Sequence, residues 1–460
     1  MGTSTESGTT ATDPPAERAS LPTRLRSLPR RIRTRLSGSR AAPVLEALER
    51  TLRDPLRVGA IVFVLAFALR VLWLNLPGRS LIFDEAYYVN AARVILGWPA
   101  TSHYVDSTPF LDPNTEHPPL GKLLIAGSML VFGDNGLGWR LPSVIAGMIA
   151  LGAVWQIVRT LDRSAWLAVL VVTLTAFDNL TFVHGRIGTL DILVLAPMLV
   201  GSLLALRRRW ILAGVAMGIA LLIKITALYG IGAVLLYLLL TDGRRWWRSR
   251  KVPLLDLLAP AGFLVVTLGI AVGGLAALDA KFSAFPTPIA HIQRIFGYGV
   301  ALQAPAASGR CTTEIDSRPW QWIFNECQIT YLRIDVNVKS GDKVVQLVPQ
   351  VDFRGALNPL LAGAIPLAGL FAGWYAWRTR NRLALWAVAW AAANYLPYIA
   401  LALLTTRIMY LYYALPLVPA IAVAVALLLQ RARLPGFVRW GYLVAYALGF
   451  AAYFPFRQVP

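Results

Sequence analysis

From residue 58 to residue 455 the chain is a succession of apolar runs, most of them long enough to cross a lipid bilayer, separated by mostly short polar stretches. A membrane-crossing helix needs about 17–25 predominantly apolar residues, and in hydrocarbon only a helix or a closed barrel pairs every backbone group. The runs fall at 58–76, 140–160, 164–178, 189–206, 211–225, 226–241, 255–277, 357–377, 383–403, 408–430 and 436–455. Read as helices, they make the chain an all-α polytopic membrane protein with about eleven crossings. Composition agrees, because 57% of the 460 residues are hydrophobic and only 15% charged, against about 25% charged in a soluble domain. Lipid is the main solvent for such a chain.

A net charge of +20 would suggest nucleic acid in a soluble protein, but here the basic residues sit at the ends of apolar runs. They cluster at Arg24–Arg57, Arg159 and Arg163, Arg207–Arg209, Arg244–Lys251, Arg378–Arg382 and Arg431–Arg439. Placing all of these in the cytoplasm satisfies the positive-inside rule and leaves no basic folded face for nucleic acid. The amino terminus is then cytoplasmic and, with an odd number of crossings, the carboxyl terminus external. Residues 1–50 read as a disordered basic cytoplasmic tail, too poor in apolar side chains at its start to offset the entropy of ordering. Its arginines either lie on anionic headgroups or act simply as a topology signal. No cleavable signal peptide is expected, since the first apolar run starts too late.

Two long polar segments, 77–139 and 278–356, fall outside the membrane in this topology, and loops of that length usually carry function. The first holds an alternating stretch, Ala86–Leu96, and an expected helix from Pro118 or Pro119 to Val131. Such helices can lie in the interface with the apolar face down. Both cysteines, Cys311 and Cys327, fall in the second segment. The outer face permits oxidation, so a disulfide and two separate thiols are both open readings.

Ionisable groups at span ends are where chemistry is expected, because charge near the bilayer is costly. Asp84 and Glu85 stand first, among apolar and aromatic neighbours that can raise a carboxyl pKa and make a general base. Glu116-His117-Pro118-Pro119-Leu120-Gly121-Lys122 follows, then Trp139-Arg140, the bracketing pair Asp178 and Arg186, Asp191, Lys224 and finally Arg407. Arginine suits phosphate through its planar fork of donors. Carboxylates and cations gathered on one side suit transfer of a group from a phosphate to a hydroxyl. Plainer roles stand beside these. His117 can be structural in its Pro-Pro turn, and with His103 and His184 it shows no metal-ligand spacing. Asp178 and Asp191 can cap helices or pair with Arg186. Trp320, Trp322, Tyr410, Tyr412 and Tyr413 can be interface-belt residues.

The ordered series Phe83-Asp84-Glu85, His117 to Lys122, Gly138-Trp139-Arg140, Phe177-Asp178-Asn179 with Arg186 and Leu190-Asp191, Lys224, Ser317 to Trp322 and Arg407 to Tyr413 resembles the protein O-mannosyltransferase family. More broadly it is similar to the GT-C glycosyltransferases that use polyprenyl-phosphate sugars. The likeness runs from about residue 58 to residue 430, and it departs from the family pattern at Ile225, where an aromatic residue is usual. It implies a GT-C transmembrane domain over 58–455, with Asp84 as base or acceptor-orienting group and Glu85 beside it. Arg186 and Arg407 would hold the donor phosphate, with Lys122 and Lys224 as further candidates. His117, Arg140, Asp178, Asp191, Trp320, Trp322 and Tyr410 would bind substrate or support the site.

The donor so implied is a polyprenyl-phosphate mannose, and the acceptor a Ser or Thr hydroxyl of a protein emerging from the translocon. Metal is not expected among the site residues, although a divalent cation is left open, and membrane lipids are the remaining partners. Two competing readings are a related GT-C enzyme that glycosylates a lipid or envelope glycan and a flippase for lipid-linked sugar. The second fits less well, since transporters often carry internal repeats and no motif recurs here.

Overall fold

The computed structural model describes residues 50–458 apart from 79, 251–252, 284, 304–310, 312–314 and 341–342. The expected amino-terminal tail therefore lies almost wholly outside the described residues. The chain divides after Val58, and both outer segments and nearly all of the helical bundle belong to the large unit, Gly59–Pro460.

Helix α1 (Pro55–Val71) leads into an outer segment carrying α2 (Glu85–Ile95) and α3 (Leu120–Phe132). Then come α4 (Gly136–Leu161), α5 (Ala165–Ala176), the short α6 (Asn179–His184), α7 (Leu190–Leu206), α8 (Trp210–Ile223), α9 (Ala227–Ser249) and α10 (Leu254–Phe282). The second outer segment holds α11 (Pro288–Ala301), the single turn α12 (Pro319–Ile323) and two strands, β1 (Ile329–Ser340) and β2 (Lys343–Gly355). The chain finishes with α13 (Pro359–Thr379), α14 (Arg382–Leu404), a 3-10 stretch (Leu411–Leu417) running into α15 (Val418–Arg431), and α16 (Gly436–Ala452).

Each apolar run is helical, and the expected helix after Pro119 is α3. Among the described residues five helices are long and apolar enough to cross a membrane on length and composition alone, and several others are shorter. Their outward faces carry large apolar side chains, such as Leu254, Val265 and Leu268 on α10, each more than half exposed. In water such a surface would associate; in lipid it is solvated. Capping side chains set the helix starts: Asn135 accepts from the amides of Leu137 and Gly138 at the head of α4, and Asn381 from Ala384 at the head of α14.

Between apolar helices lipid gives no hydrophobic drive, so close backbone approach matters. Gly214 and Gly218, one turn apart on α8, supply it. A Cβ on Gly214 would lie 2.8 Å from the Phe263 carbonyl of α10, and one on Gly218 2.6 Å from Ile270.

The antiparallel hairpin β1–β2 pairs Ile329 with Gly355 at its base and Ser340 with Lys343 at its tip, with three irregularities in register. The Asn179 amide on α6 anchors the base by donating to the carbonyls of Arg354 and Ala356, at 3.0 and 3.1 Å. This hairpin is an element that the all-helical reading does not contain. Cys311 and Cys327 are joined as a disulfide, with Cα atoms 5.3 Å apart, just before β1.

Candidate active site

The two adjacent carboxylates part company at the start of α2. Glu85 is fully buried and held as a bidentate partner of Arg140, at 2.8 and 2.9 Å. It also accepts the backbone amides of Ile82 and Gly188, each at 2.8 Å. Arg140 in turn donates to the carbonyls of Leu74, Leu76 and Ser80. Every lone pair suited to chemistry on Glu85 is thus committed, and the pair Glu85–Arg140 is a clamp joining α2, α4 and the turn before α7. The expected catalytic role for Glu85 does not fit this arrangement, and of the two roles expected for Arg140, binding substrate or supporting the site, its bonds to Glu85 fit the second.

Asp84 is the opposite case. It occupies the N-cap position of α2 without a side-chain cap bond, and among the described residues its carboxylate makes no hydrogen bond or ion pair. Burial first, then the Asp191 carboxylate, push its pKa up to about 7, while the Lys224 ammonium opposes the shift. Phe83 places it: this ring, at φ 53, stacks on Tyr331 of β1 at 4.1 Å and meets Tyr412 edge-on at 5.4 Å.

Around Asp84 converge groups from distant parts of the chain. Lys224, at the carboxyl end of α8, pairs with Asp191 at the start of α7 at 2.7 Å and lies 5.7 Å from the Tyr412 ring centre. One oxygen of Asp191 is left without a hydrogen bond. The His184 ring bridges Thr189 (3.1 Å) and the Tyr331 hydroxyl (2.8 Å). The phenol of Tyr413 lies within electrostatic reach of Arg407, Asp191 and Asp84 together. Arg407 has no ion pair or side-chain hydrogen bond among the described residues, and its buried Nε lacks a partner. Its backbone bridges to Gln303, and its guanidinium sits beside Gly299 of α11. His117 borders the same space, with its ring 6.0 Å from that of Tyr88. Burial, followed by Lys224, Lys122 and Arg407, holds its pKa well below the usual histidine value, so the imidazole is neutral at pH 7.

The other expected phosphate ligands are occupied elsewhere. Arg186 is buried, donates to the carbonyls of Leu69 and Leu72, and stands among the rings of Phe182, Phe353 and Phe456 at 5.1–5.7 Å. It caps the end of α1 with two of its five N–H groups and is 1% exposed among these rings. Lys122 is fully buried against Asp112 at 2.6 Å and donates to the carbonyls of Asn114 and His117. This ties the first outer loop to α3. Asp178 caps α6 through Thr181 and accepts the Asn358 amide at 2.8 Å; neither it nor Asp191 pairs with Arg186.

Trp322 is buried with its indole donating to Ser317 at 2.8 Å and its ring against Tyr395, Tyr398 and Tyr413. It supports the tyrosine cluster, whereas Trp320 is 45% exposed. Tyr410 stacks on Tyr412 at 5.3 Å. Tyr331 and the ring of His184 lie outside the set of site residues expected from the sequence. The alternation Ile329, Tyr331, Arg333, Asp335 against Leu332, Ile334, Val336 is the strand signal that could have exposed Tyr331.

The chain is similar to several known proteins. Residues 116–268 match the family model described as dolichyl-phosphate-mannose-protein mannosyltransferase. The chain is 36% identical over 110 residues to the polyprenol-phosphate-mannose–protein mannosyltransferase of Mycobacterium tuberculosis, a match over 24% of this chain and 20% of that protein. The matched part is thus about a fifth of that relative's length. With the enzyme of the same description from Corynebacterium glutamicum it is 25% identical over 435 residues, covering 80% of this chain and 81% of the other.

The S. cerevisiae protein O-mannosyltransferase Pmt1–Pmt2 complex, solved bound to the sugar donor, superposes with a TM-score of 0.60 over 87% of this chain and 90% of that one, at 11% identity. That likeness is one of fold. The chain is a polytopic membrane protein with the GT-C fold. Its resemblance to the protein O-mannosyltransferase family, carried in the sequence by the ordered motifs, is borne out by the family model and by the bacterial relatives.

Proposed function

We propose that the chain is an inverting glycosyltransferase that moves mannose from polyprenyl-phosphate mannose to Ser or Thr hydroxyls of secreted or membrane proteins. The observation that carries the proposal is Asp84: a carboxylate without a hydrogen bond or ion pair among the described residues, its pKa pushed up to about 7, and linked through the Tyr413 phenol, which feels both charges, to Arg407. A general base works best when its pKa lies near the working pH.

In the reaction the acceptor oxygen attacks C1 of mannose from the face opposite the phosphate, and Asp84 takes the hydroxyl proton. The bond between C1 and the phosphate oxygen breaks, and its electron pair leaves with the polyprenyl phosphate. Arg407 meets the phosphate charge, and Lys224, braced by Asp191, adds a second cation. One displacement inverts the anomeric centre and needs one carboxylate base, in keeping with Glu85 being withdrawn into its clamp.

The membrane is the cell membrane, with the amino terminus cytoplasmic and the Asp84 cluster on the external face. Asp191 and Lys224 mark that face, and Arg207–Arg209 at the far end of α7 mark the cytoplasmic one. The acceptor would then be a chain emerging from the translocon. The test is transfer of radiolabelled mannose from polyprenyl-phosphate mannose to a Ser/Thr-rich peptide, in membranes holding wild-type protein or Asp84→Asn. Labelled peptide in the wild type that disappears in the variant is expected. Label entering a lipid or glycan instead would overturn the acceptor, and label entering nothing would overturn the reaction.

A further inference from the structure

A second charged cavity lies at the other end of the bundle. It has a volume of about 830 Å³ and is framed by the end of α7, the start of α8, the second half of α9 and the turn between α13 and α14. Along α7 the distance from Asp191 to Ala205, which lines this cavity, is roughly 20 Å at 1.5 Å per residue, so the two sites are separate. Five arginines face it, Arg208, Arg245, Arg248, Arg380 and Arg382, against one acid, Asp242. Asp242 and Asp256 answer Arg208 and Arg245: Arg208 is 4.0 Å and Arg245 3.7 Å from Asp242, and Arg245 also meets Asp256. Arg248, Arg380 and Arg382 have no acidic partner among the described residues, and the Nε of Arg382 donates to the Tyr237 hydroxyl at 3.3 Å.

We infer that this cavity binds the phosphate-bearing head group of an anionic phospholipid. A topology signal needs arginines in solvent; it does not need three unpaired ones converging on one hollow. The walls decide between a lipid and a soluble phosphate. Trp210 and Trp386 line the hollow, and Trp386 is fixed by its bond to Ser202 at 3.0 Å. Immediately flanking these elements, large apolar side chains point outward: Ile211 and Leu212 on α8, Leu239 on α9, Leu254 and Leu258 on α10. A ligand seated here has arginines at its head and lipid-facing helix surfaces beside it, the arrangement of a basic pocket between membrane helices. Two phosphates in one head group would match three guanidiniums without an acidic partner better than one.

The test uses the full chain purified in detergent, titrated with cardiolipin and followed by native mass spectrometry. Phosphatidylcholine and inorganic phosphate are the comparison probes. Saturable cardiolipin binding is expected, with neither comparison probe competing at the same concentration. The double variant Arg248→Gln/Arg380→Gln is expected to raise half-saturation about thirtyfold, the loss of two surface arginine–anion attractions. Arg439→Gln, outside the cavity, should leave it unchanged. Equal binding by the double variant, an equal loss in Arg439→Gln, or displacement by inorganic phosphate would each overturn the proposal. Should the double variant fail to fold, a photoactivatable cardiolipin on the wild-type chain decides the matter: labelling of peptides spanning 202–210, 234–249 and 380–386 supports the site, and labelling confined elsewhere refutes it.

Discussion

Replacing Glu85 by Gln keeps the shape of a fully buried side chain that accepts four hydrogen bonds, two from Arg140 and one each from the amides of Ile82 and Gly188. The amide group that replaces one oxygen is a donor, so it turns two of those four contacts into donor facing donor. Breaking a buried ion pair by removing one partner costs about 3–5 kcal/mol, of which an orphaned backbone amide accounts for about 1–3 kcal/mol. The fold should survive, because Arg140 keeps its bonds to Leu74, Leu76 and Ser80. The assay is thermal unfolding in detergent for Glu85→Gln, Arg140→Met and the double variant. Each single change should lower stability by about 3–5 kcal/mol, and the double variant should fall short of the sum by up to about 3 kcal/mol. Wild-type stability in Glu85→Gln together with abolished mannosyl transfer would refute the reasoning and return Glu85 to the chemistry.

Asp84→Asn should instead unfold at or above the wild-type midpoint while transfer is lost, since its carboxylate has no partner to lose; a large destabilisation would show a contact that the geometry lacks. Transfer by the wild type should rise about tenfold per pH unit below pH 7 and level off above it, following ionisation of an acid whose pKa lies at about 7. Because the folded state binds the extra proton between the ordinary carboxyl pKa and 7, stability should fall as pH rises through that window, and Asp84→Asn should remove the slope. Arg407→Gln should raise the KM for the lipid-linked donor at least tenfold, with the unfolding midpoint unchanged, since the guanidinium has no side-chain hydrogen bond to give up. Cys311→Ser opens a loop of 16 residues and should cost about 3 kcal/mol, seen as faster proteolysis ahead of the hairpin.

How far the sequence can be read follows from the range of each interaction. The apolar runs report burial in lipid through local composition, so each matches helical structure, and the Pro-Pro start within the first outer segment marks α3. The hairpin is equally local, with alternating side chains on either side of Ser340-Gly341-Asp342, but inside a polar stretch between apolar spans that pattern is hard to tell from loop. Side-chain partnership is not local at all. Nothing near Glu85 in sequence announces Arg140, 55 positions away, and nothing near His184 announces Tyr331, 147 positions away. Motif order therefore locates the right segments but cannot say which ionic groups in them are already spoken for.

That partition explains why so few of the charged residues are left for chemistry. Burial makes an unpaired charge costly, so most ionic groups around the outer segments are paired: Glu85 with Arg140, Asp112 with Lys122 and Asp191 with Lys224, while the Asp279 carboxylate is hydrogen-bonded to the His291 ring at 2.8 Å. These contacts tie α2 to α4, the first outer loop to α3, α7 to α8 and α10 to α11. Asp84 and Arg407 remain outside them, one raised in pKa and the other with an unsatisfied nitrogen. Groups held at such a cost by a rigid surround are the ones a substrate with a hydroxyl proton and a phosphate can satisfy. If the donor supplies the missing partner for Arg407, its binding should stabilise the protein, and the thermal shift should vanish in Arg407→Gln while persisting in Asp84→Asn. An equal shift in Arg407→Gln would place the phosphate elsewhere, with Lys224 the next cation to replace.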